Sequence, residues 1–271
     1  MKKILSISVG SSSRDHTTRH VFLGQECELS RQGTDGDFEK AVQRYADMDG
    51  KVDAFGVGGV EFFLRVGSRR YYVRDVSRNG REVRRSKIGD GNGVKGLLER
   101  RAFQALEKHL NEKENKTLKG MPALLTTAVD RYGMGEAMVD AGLNMTFGDL
   151  MFALGIPIPI RGIKNLKRIA SILLPVFGRM PFSMLYPTGE KQEQNVPRFG
   201  KWYAWATVIS GDCLYIKRHM PERLDGKVIA TNTTTPADVE ALRARGVRYL
   251  VTVTPPLEGR SFGTNAMEAA L

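Results

Sequence analysis

The stretch KVIATNTTTPADVEALRARGVRYLVTVT, residues 227–254, decides the fold. It opens with the apolar, β-rich run Val228–Thr231 and closes with a second such run, Tyr249–Val253. Between the two runs, Thr235 stands at a helix N-cap position and Pro236 follows at the first helical position. A strand, a helix and a strand at this spacing predict a βαβ unit, and such a unit requires a parallel sheet.

The same alternation of strand and helix patterns extends over the rest of the chain. Lys3–Val9 predicts a first strand, and Ala123–Ala128 starts a second series after the polar run Asn111–Lys119. That run predicts a linker between a first lobe, residues 1–115, and a second lobe, residues 120–271. The predicted fold class is therefore α/β, with two Rossmann-like lobes, mostly parallel sheets and a ligand cleft between the lobes.

Several local patterns give finer expectations. Glu61–Val66 and Arg70–Asp75 predict a β-hairpin inserted in the first lobe, and Trp205–Ile209 predicts a buried strand. Asn265 and Glu268 have the spacing of a capping box at the start of a short helix. The buried face of the helix before the linker is predicted from a stripe at helical spacing: Val94, Leu97, Leu98, Ala102, Ala105 and Leu106.

Composition describes an ordinary globular protein. Of 271 residues, 41% are hydrophobic and 26% are charged, which excludes disordered and fibrous classes. Neither a signal peptide nor an apolar run long enough to cross a bilayer is found, so we expect a cytoplasmic protein without membrane attachment. The thiols of Cys27 and Cys213 are expected to be free. The four histidines lack metal-ligand spacing, so no metal centre is predicted.

The positive charge is unevenly distributed. The formal net charge is +11, and Arg65–Arg101 holds 12 Lys and Arg against 4 Asp and Glu. A solvated hairpin and helix face explains this stretch, and nucleic acid binding is the alternative. No zinc-finger spacing or RNA-binding aromatic signature supports that alternative.

Five loops predict where a ligand binds. In parallel α/β sheets, ligands lie at the carboxyl ends of the strands, where loops lead into helices. Small and polar residues dominate these five loops beyond what connection requires, which indicates a polar cleft for a small anionic ligand. The loops are Gly10–Asp15, Gly56–Gly59, Thr126–Arg131, Thr231–Thr235 and Gly259–Asn265.

Within these loops, Arg260 offers a planar charge for an oxyanion, either phosphate or carboxylate. Asp130 and Asp212 are candidate catalytic carboxylates, or else helix caps with a salt-bridge partner such as Arg131. The candidate substrate-binding residues are Ser11, Ser12, Ser13, Arg14, Asn232, Thr233, Thr234, Arg260, Ser261, Thr264 and Asn265.

A glycine-rich loop follows the strand that ends near residue 57. Gly56, Gly58 and Gly59 invite comparison with the dinucleotide fingerprint and are the candidate cofactor-binding residues. Glu61 takes the place of the third glycine, and the residues after it look like a strand rather than the helix of the fingerprint. A tight turn before the hairpin is the alternative explanation.

Almost the whole chain resembles a family of bacterial proteins described as quinate 5-dehydrogenases or shikimate dehydrogenase-like proteins. The resemblance implies an oxidoreductase that acts on a polyhydroxy carboxylate with NAD(P) as cofactor. The stretches that carry it are Ile7–Ser12, Gly33–Asp37, Gly50–Gly59, Val129–Met134, Thr231–Thr235 and Gly259–Asn265.

The resemblance transfers to individual residues only in part. Ser11 and Ser13 stand roughly where shikimate dehydrogenases carry a serine pair for the substrate carboxylate. The glycine-rich loop precedes Asn232–Pro236, the reverse of the family order, and no lysine follows at a comparable spacing. No catalytic Lys/Asp pair is therefore carried over. Two alternatives remain: a two-lobed enzyme for a phosphorylated sugar or nucleotide without redox chemistry, and a sensor that closes around a small anion.

Overall fold

Two lobes, each with a five-stranded sheet, make up the chain, and the α/β prediction is confirmed. The computed structural model describes residues 1–72, 82–177 and 194–271. The first series of elements comprises β1 (Lys2–Ser8), β2 (His16–Phe22), β3 (Gln25–Gly33), α1 (Phe38–Met48), β4 (Ala54–Gly58), the hairpin β5 (Phe63–Val66) and β6 (Arg69–Tyr72), and β7 (Lys87–Gly89).

The second series begins with a long helix and ends with a short one. Its elements are α2 (Asn92–Glu114), β8 (Pro122–Leu125), α3 (Tyr132–Asp140), β9 (Asn144–Phe147), α4 (Asp149–Phe152), α5 (Ile163–Phe177), α6 (Gly200–Trp205), β10 (Val208–Gly211), α7 (Cys213–His219), β11 (Val228–Thr231), α8 (Pro236–Ala244), β12 (Tyr249–Thr252), the short pair β13 (Pro256–Leu257) and β14 (Arg260–Ser261), and α9 (Thr264–Ala270).

The strand order creates a crevice in each sheet. The first sheet runs β2-β3-β1-β4-β7, with only β2 antiparallel, and the second runs β12-β11-β10-β8-β9, all parallel. The chain leaves β1 toward β3 and later returns to β4 on the other side. In the second sheet, β8 is followed by β9 on one side and β10 on the other. Such reversals open a crevice at the carboxyl ends of the flanking strands, which is where α/β proteins bind ligands.

The βαβ unit predicted from residues 227–254 is present. β11 and β12 pair in parallel, with Val228 opposite Tyr249. Thr235 caps α8 in a reciprocal capping box with Asp238, and Pro236 occupies the first helical position. The helix therefore begins where local capping chemistry places it.

Packing divides the lobes differently from the expected division at residues 115–120. The apolar residues of α2, including Phe103 and Leu106, belong to the hydrophobic core of the second sheet. In contrast, Ala266 and Met267 of α9 pack with Ile4 and other residues of the first sheet. The segment expected to be a linker remains helical to Glu114. The helix α2, expected in the first lobe, therefore packs in the second lobe, and α9, expected in the second lobe, packs in the first.

The buried face of α2 also differs from the predicted stripe. Lys95 and Glu99 are buried, whereas Leu97 is exposed. Ala102 and Leu106 of the predicted stripe are buried, and the pattern fails at Leu97 and Ala105, which are exposed. It could not predict the burial of Lys95 and Glu99, because these two charged residues face a polar site and pair there.

The other local expectations had mixed outcomes. The hairpin is present as β5 and β6, and the predicted strand residues 73–75 lie outside the described residues. Trp205–Ile209 is not one strand, because α6 ends at Trp205 and β10 begins at Val208. No helix in the described part of the chain is long and apolar enough to cross a membrane.

Candidate functional site

A cleft of about 230 Å³ lies between the lobes at the carboxyl ends of both sheets. All five loops singled out in the sequence contribute to its lining. The loops after β1 and β4 provide one side, and the loops after β8, β10 and β11 provide the other. Lining residues from the five loops include Ser11, Gly58, Asp130, Asn232 and Thr264. Both topological crevices therefore open into one space.

Several arginines line the cleft, and we call three of them, Arg14, Arg31 and Arg260, the arginine wall. Arg14 pairs with the buried carboxylate of Asp238, with 2.9 Å between Nη1 and Oδ2. Arg31 pairs with Asp15, with 2.7 Å between Nη1 and Oδ1. Each of these two guanidinium groups thus contacts a carboxylate, and Asp238 is shared with Lys217.

Arg260 is different, because its guanidinium is buried without such a partner. The residue is only 5% exposed, and its Nε and Nη2 lack a hydrogen-bond partner within residues 1–72, 82–177 and 194–271. Its guanidinium carbon lies 5.8 Å from the centre of the Phe262 ring. Burial, together with the charges of Arg31 and Arg14, lowers the pKa of Arg260 to about 10. The group is still charged at neutral pH and has free donors for an anion.

Carboxylates also line the cleft. We call Glu61, Asp130 and Asp212, with Glu99 behind them, the acidic wall. Arg131 lies at its centre: its Nη2 is 3.2 Å from Asp212 Oδ2. The same guanidinium is 3.8 Å from Asp130 Oδ2 and 3.9 Å from Glu99 Oε1. One arginine therefore holds three carboxylates together.

A buried lysine completes the acidic wall. Lys95 on α2 bonds to the carboxylate of Glu61 and to the main-chain oxygen of Asp130. Burial lowers the pKa of Arg131, but the carboxylates of Asp212, Asp130, Glu99 and Glu61 outweigh burial and raise it. Burial raises the pKa of Asp130, although Arg131 and Lys95 oppose the change. The wall thus contains more acidic than basic side chains in a dry setting.

Asp212 is fixed by the start of α7. Its Oδ1 accepts a hydrogen bond from Leu214 N at 2.9 Å, so it caps this helix. Its Oδ2 accepts from Asn232 Nδ2 at 2.7 Å, and Asn232 Oδ1 in turn accepts from Cys213 N. The loops after β10 and β11 are therefore joined side by side at the cleft. The alternative interpretation of Asp212 as a helix cap is correct for one of its oxygens, while the other faces Arg131.

Thr264 and Asn265 reach the cleft from α9. The expected capping box is wrong, because Gly263 is the N-cap and no side chain caps this helix. Asn265 Nδ2 instead donates to Ser6 Oγ at 2.7 Å. Glu268 accepts from the main-chain N–H groups of Gly91 and Gly93 at 2.6 and 2.8 Å, which caps α2. The two side chains therefore connect neighbouring elements instead of their own helix.

The glycine-rich loop does not form a dinucleotide fingerprint. After β4 the chain continues into β5, so no helix begins behind Gly58 and Gly59. A Cβ atom on Gly56 would meet Asn265 Nδ2 at 2.8 Å, and one on Gly58 would meet Ser8 Cβ at 2.9 Å. These glycines allow close packing of the protein's own elements, and the residues present do not fit a pyrophosphate. Gly58 and Gly59 line the cleft, whereas Gly56 does not.

Four predicted binding residues lie outside the cleft lining. Ser12 and Ser13 are exposed in the short turn after β1. Thr234 and Ser261 are buried and bond to each other, with 2.7 Å between Thr234 N and Ser261 Oγ. The pair Thr234 and Ser261 joins β14 to the loop after β11. The hydroxyl groups of both residues therefore serve the fold. The three loops that carry these residues contribute to the cleft through others, such as Arg14, Asn232, Thr233 and Arg260.

Sequence reasoning missed several residues of the site. Arg31 lies on β3, far along the chain from the loops, and no local signal indicated it. Lys95 and Glu99 gave a signal, because they lie four residues apart on the face of α2 that also carries Ala102 and Leu106. Other missed residues that line the cleft are Glu61, Tyr215 and Arg218.

The basic stretch Arg65–Arg101 contributes little to the cleft. Most of its described cations, such as Arg84 and Arg85, are exposed, and only Lys95 is buried. The described residues contain no group of three or more His, Cys, Asp or Glu that could hold a metal ion.

The fold and the site define a two-lobed, doubly wound α/β protein whose sheets share one cleft. The chain belongs to the family of the domain of unknown function DUF8754, whose model matches residues 93–271. The domain of unknown function DUF8753 matches residues 3–90. The two matches meet at the start of α2, which agrees with the packing of that helix in the second lobe. No curated protein matches the chain at a significant level.

Two solved structures are distantly similar. A protein assigned as a malic enzyme (malate oxidoreductase) shares 11% identity and a TM-score of 0.34 over 93% of this chain and 65% of that one. A dipicolinate synthase subunit from Bacillus halodurans shares 11% identity and a TM-score of 0.32 over 92% of this chain and 88% of that one. The chain thus spans less than two thirds of the malic enzyme chain. Similarity of this degree does not define a function.

Proposed function

We propose that this protein is an oxidoreductase that acts in the cleft on a small polyhydroxy carboxylate of the quinate or shikimate type. The buried guanidinium of Arg260 carries the proposal. A buried charge without a partner is costly, so its retention indicates that a ligand supplies the missing anion. The family resemblance supplies the substrate type and the redox reaction.

The charge balance favours a carboxylate as that anion. Arg14 and Arg31 each pair with an aspartate, whereas Arg260 does not. The charge of Arg260 matches one carboxylate, which an arginine binds through two parallel hydrogen bonds. A volume of about 230 Å³ is also below the ~300–1,000 Å³ of sites for drug-sized ligands, so the cleft suits a small guest.

The acidic wall suits the hydroxyl groups of a polyhydroxy carboxylate ligand. Carboxylates accept hydrogen bonds from hydroxyls, and Asp130 and Asp212 both line the cleft. When an alcohol is oxidised, the hydroxyl proton must pass to a base, and Asp130 is the candidate, with Asp212 held in place by Arg131 and Asn232. The resemblance implies NAD(P) as the hydride acceptor. Because the loop at Gly56–Gly59 does not fit a pyrophosphate, no residue is assigned to that cofactor.

A second candidate is a two-lobed enzyme or binding protein for a phosphorylated sugar or nucleotide, without redox chemistry. The observation in its favour is that the three guanidinium groups of the arginine wall line one cleft. A phosphate dianion would draw Arg14 or Arg31 away from its aspartate partner. This candidate therefore predicts that phosphate esters bind more tightly than carboxylates do.

One set of titrations tests both candidates. Quinate, shikimate, inorganic phosphate and glucose 6-phosphate are titrated into the purified protein by calorimetry, and quinate and shikimate are then assayed for reduction of NAD or NADP. We expect quinate or shikimate to bind and to reduce the cofactor. Tighter binding of the phosphate compounds without cofactor reduction would favour the second candidate. Arg243, an exposed arginine paired with Glu240, is the control: Arg243→Ala should leave every affinity unchanged.

A further inference from the structure

Glu99 is a buried carboxyl group just behind the cleft. The residue has no solvent exposure, and neither carboxyl oxygen has a hydrogen-bond partner in the described parts of the chain. The nearest positive charge is Arg131, with 3.9 Å between Nη1 and Oε1. A buried carboxylate normally accepts several hydrogen bonds, so this arrangement requires an explanation.

A small cavity of about 20 Å³ lies beside Glu99. This volume is enough for one water molecule, and the polar lining could hold it. Glu61 and Asp130 line both this cavity and the main cleft. The cavity and the cleft therefore share a wall made of two carboxylates.

The surroundings of Glu99 favour the protonated form of its carboxyl group. Burial raises the pKa of Glu99 to about 7, although Lys95 and Arg131 lower it. The carboxylates of Glu61 and Asp130 add to the increase, so the group exchanges its proton near neutral pH. The charged groups that face Glu99 are Lys95 from its own helix, Arg131 and Asp130 from the loop before α3, Glu61 from the loop after β4, and Arg65 from β5 at the edge of the cavity.

We propose that Glu99 is a proton relay between Asp130 at the cleft and the solvent that reaches the small cavity. This inference rests on the proposed function. As an alcohol is oxidised, its hydroxyl proton passes to the carboxylate of Asp130. Asp130 gives that proton through a water in the cavity to the carboxylate of Glu99, and Glu99 releases it to solvent. The relay resets Asp130 after each turnover, while Glu99 itself does not touch the substrate.

Infrared spectroscopy of the ligand-free protein tests the relay. A protonated carboxyl gives a C=O band separate from that of a carboxylate. The difference between the wild type and Glu99→Gln isolates this residue from Asp149, whose burial also raises its pKa to about 7. We expect a band that titrates near neutral pH and shifts within the mixing time after transfer to D₂O. Glu112→Gln, an exposed change on the same helix, should retain the band.

Asp130→Asn tests the coupling between the two carboxyls. Because the charge of Asp130 raises the pKa of Glu99, its removal should move the titration of the band to lower pH. An unchanged titration, a band that exchanges only slowly in D₂O, or no band in the wild type would overturn the relay. If Glu99→Gln fails to fold, Glu99→Asp replaces it and should shift the band instead of removing it. None of these measurements needs a substrate, so they remain informative if the proposed oxidoreductase activity is not found.

Where turnover of quinate or shikimate is found, kinetics give a second readout. Glu99→Gln should lower kcat about tenfold and flatten the pH profile of kcat near neutral pH, while KM for the acid stays unchanged. A residue with only a structural role would alter both constants and leave the shape of the pH profile unchanged. That second pattern would count against a relay.

Discussion

The arginine wall and the acidic wall of the cleft bury charge in opposite ways. In the acidic wall, Arg131 and Lys95 neutralise part of the carboxylate charge, and raised pKa values favour protonation of the remainder. In the arginine wall, two guanidinium groups are paired and that of Arg260 has no carboxylate partner in the described chain. An arginine cannot discharge itself by losing a proton at neutral pH, whereas a carboxyl can gain one. A buried arginine without a carboxylate partner therefore indicates an anionic ligand. A cluster of buried carboxyl groups indicates that some of them are protonated.

The largest effect is expected from Arg131→Ala. This change leaves Asp130, Asp212 and Glu99 without their shared cation, and breaking a buried ion pair typically costs about 3–5 kcal/mol. The free energy of unfolding in urea should therefore fall by about 3 kcal/mol. Arg100→Ala removes an exposed arginine beside Asp140 and should change it by less than about 0.5 kcal/mol. Equal effects of the two changes would show that the acidic wall does not depend on Arg131.

Arg260→Met should act in the opposite direction on stability. Replacing a buried charge that lacks a partner by an apolar side chain should raise the free energy of unfolding of the ligand-free protein by about 1 kcal/mol. The same change should weaken binding of quinate or inorganic phosphate at least tenfold. Thermal denaturation and calorimetry check the two parts. A variant that is less stable and still binds the acid would contradict our assignment of Arg260.

The pH dependence of stability sharpens the comparison further. The folded-state pKa of Glu99 is raised from 4.5 to about 7, so the folded protein holds this proton more tightly than the unfolded chain does. That contribution is complete below pH 4.5 and is lost as the pH rises to about 7. Across this window the free energy of unfolding should decline by about 3 kcal/mol. Glu99→Gln should flatten the decline in urea titrations, and an identical slope in both proteins would refute the prediction.

The smallest effect is expected from Ser11→Ala. Ser11 lines the cleft and its hydroxyl accepts a hydrogen bond from Ser13 N at 3.2 Å, so its loss should cost about 0.5 kcal/mol. The affinity for quinate should fall threefold at most, because Arg260 holds the carboxylate. A hundredfold fall would instead assign the carboxylate to Ser11, as the family resemblance implies. Ser13→Ala, outside the cleft lining, is the comparison variant.

Local chemistry allowed much of the fold to be predicted from sequence. Thr235 and Pro236 mark the start of α8 through short-range capping, and the parallel sheet follows from the unit they define. Loops at the carboxyl ends of the strands were expected to converge, because parallel strands present these ends on one edge. Each of these inferences depends on neighbours in sequence or on a general property of parallel sheets.

Residues that act across the fold could not be predicted in this way. A periodic apolar pattern places Leu97 inside and Lys95 outside, whereas the acidic wall requires the reverse. Asn265 and Glu268 match a capping box, yet their partners lie far away in sequence, at Ser6 and Gly91. In these two cases the residues that depart from the local rule lie at the site or at the junction between lobes.

The return of α9 to the first sheet has a consequence for biosynthesis. Phe262, Ala266 and Met267 fill the same hydrophobic cluster as Ile4 and Leu29, and this cluster covers one face of the first sheet. While the ribosome is still making the middle of the chain, that face has no cover. The first lobe can acquire its full core only after residues 262–267 have emerged, so the amino-terminal half must wait for the carboxyl-terminal helix before it becomes resistant to proteases.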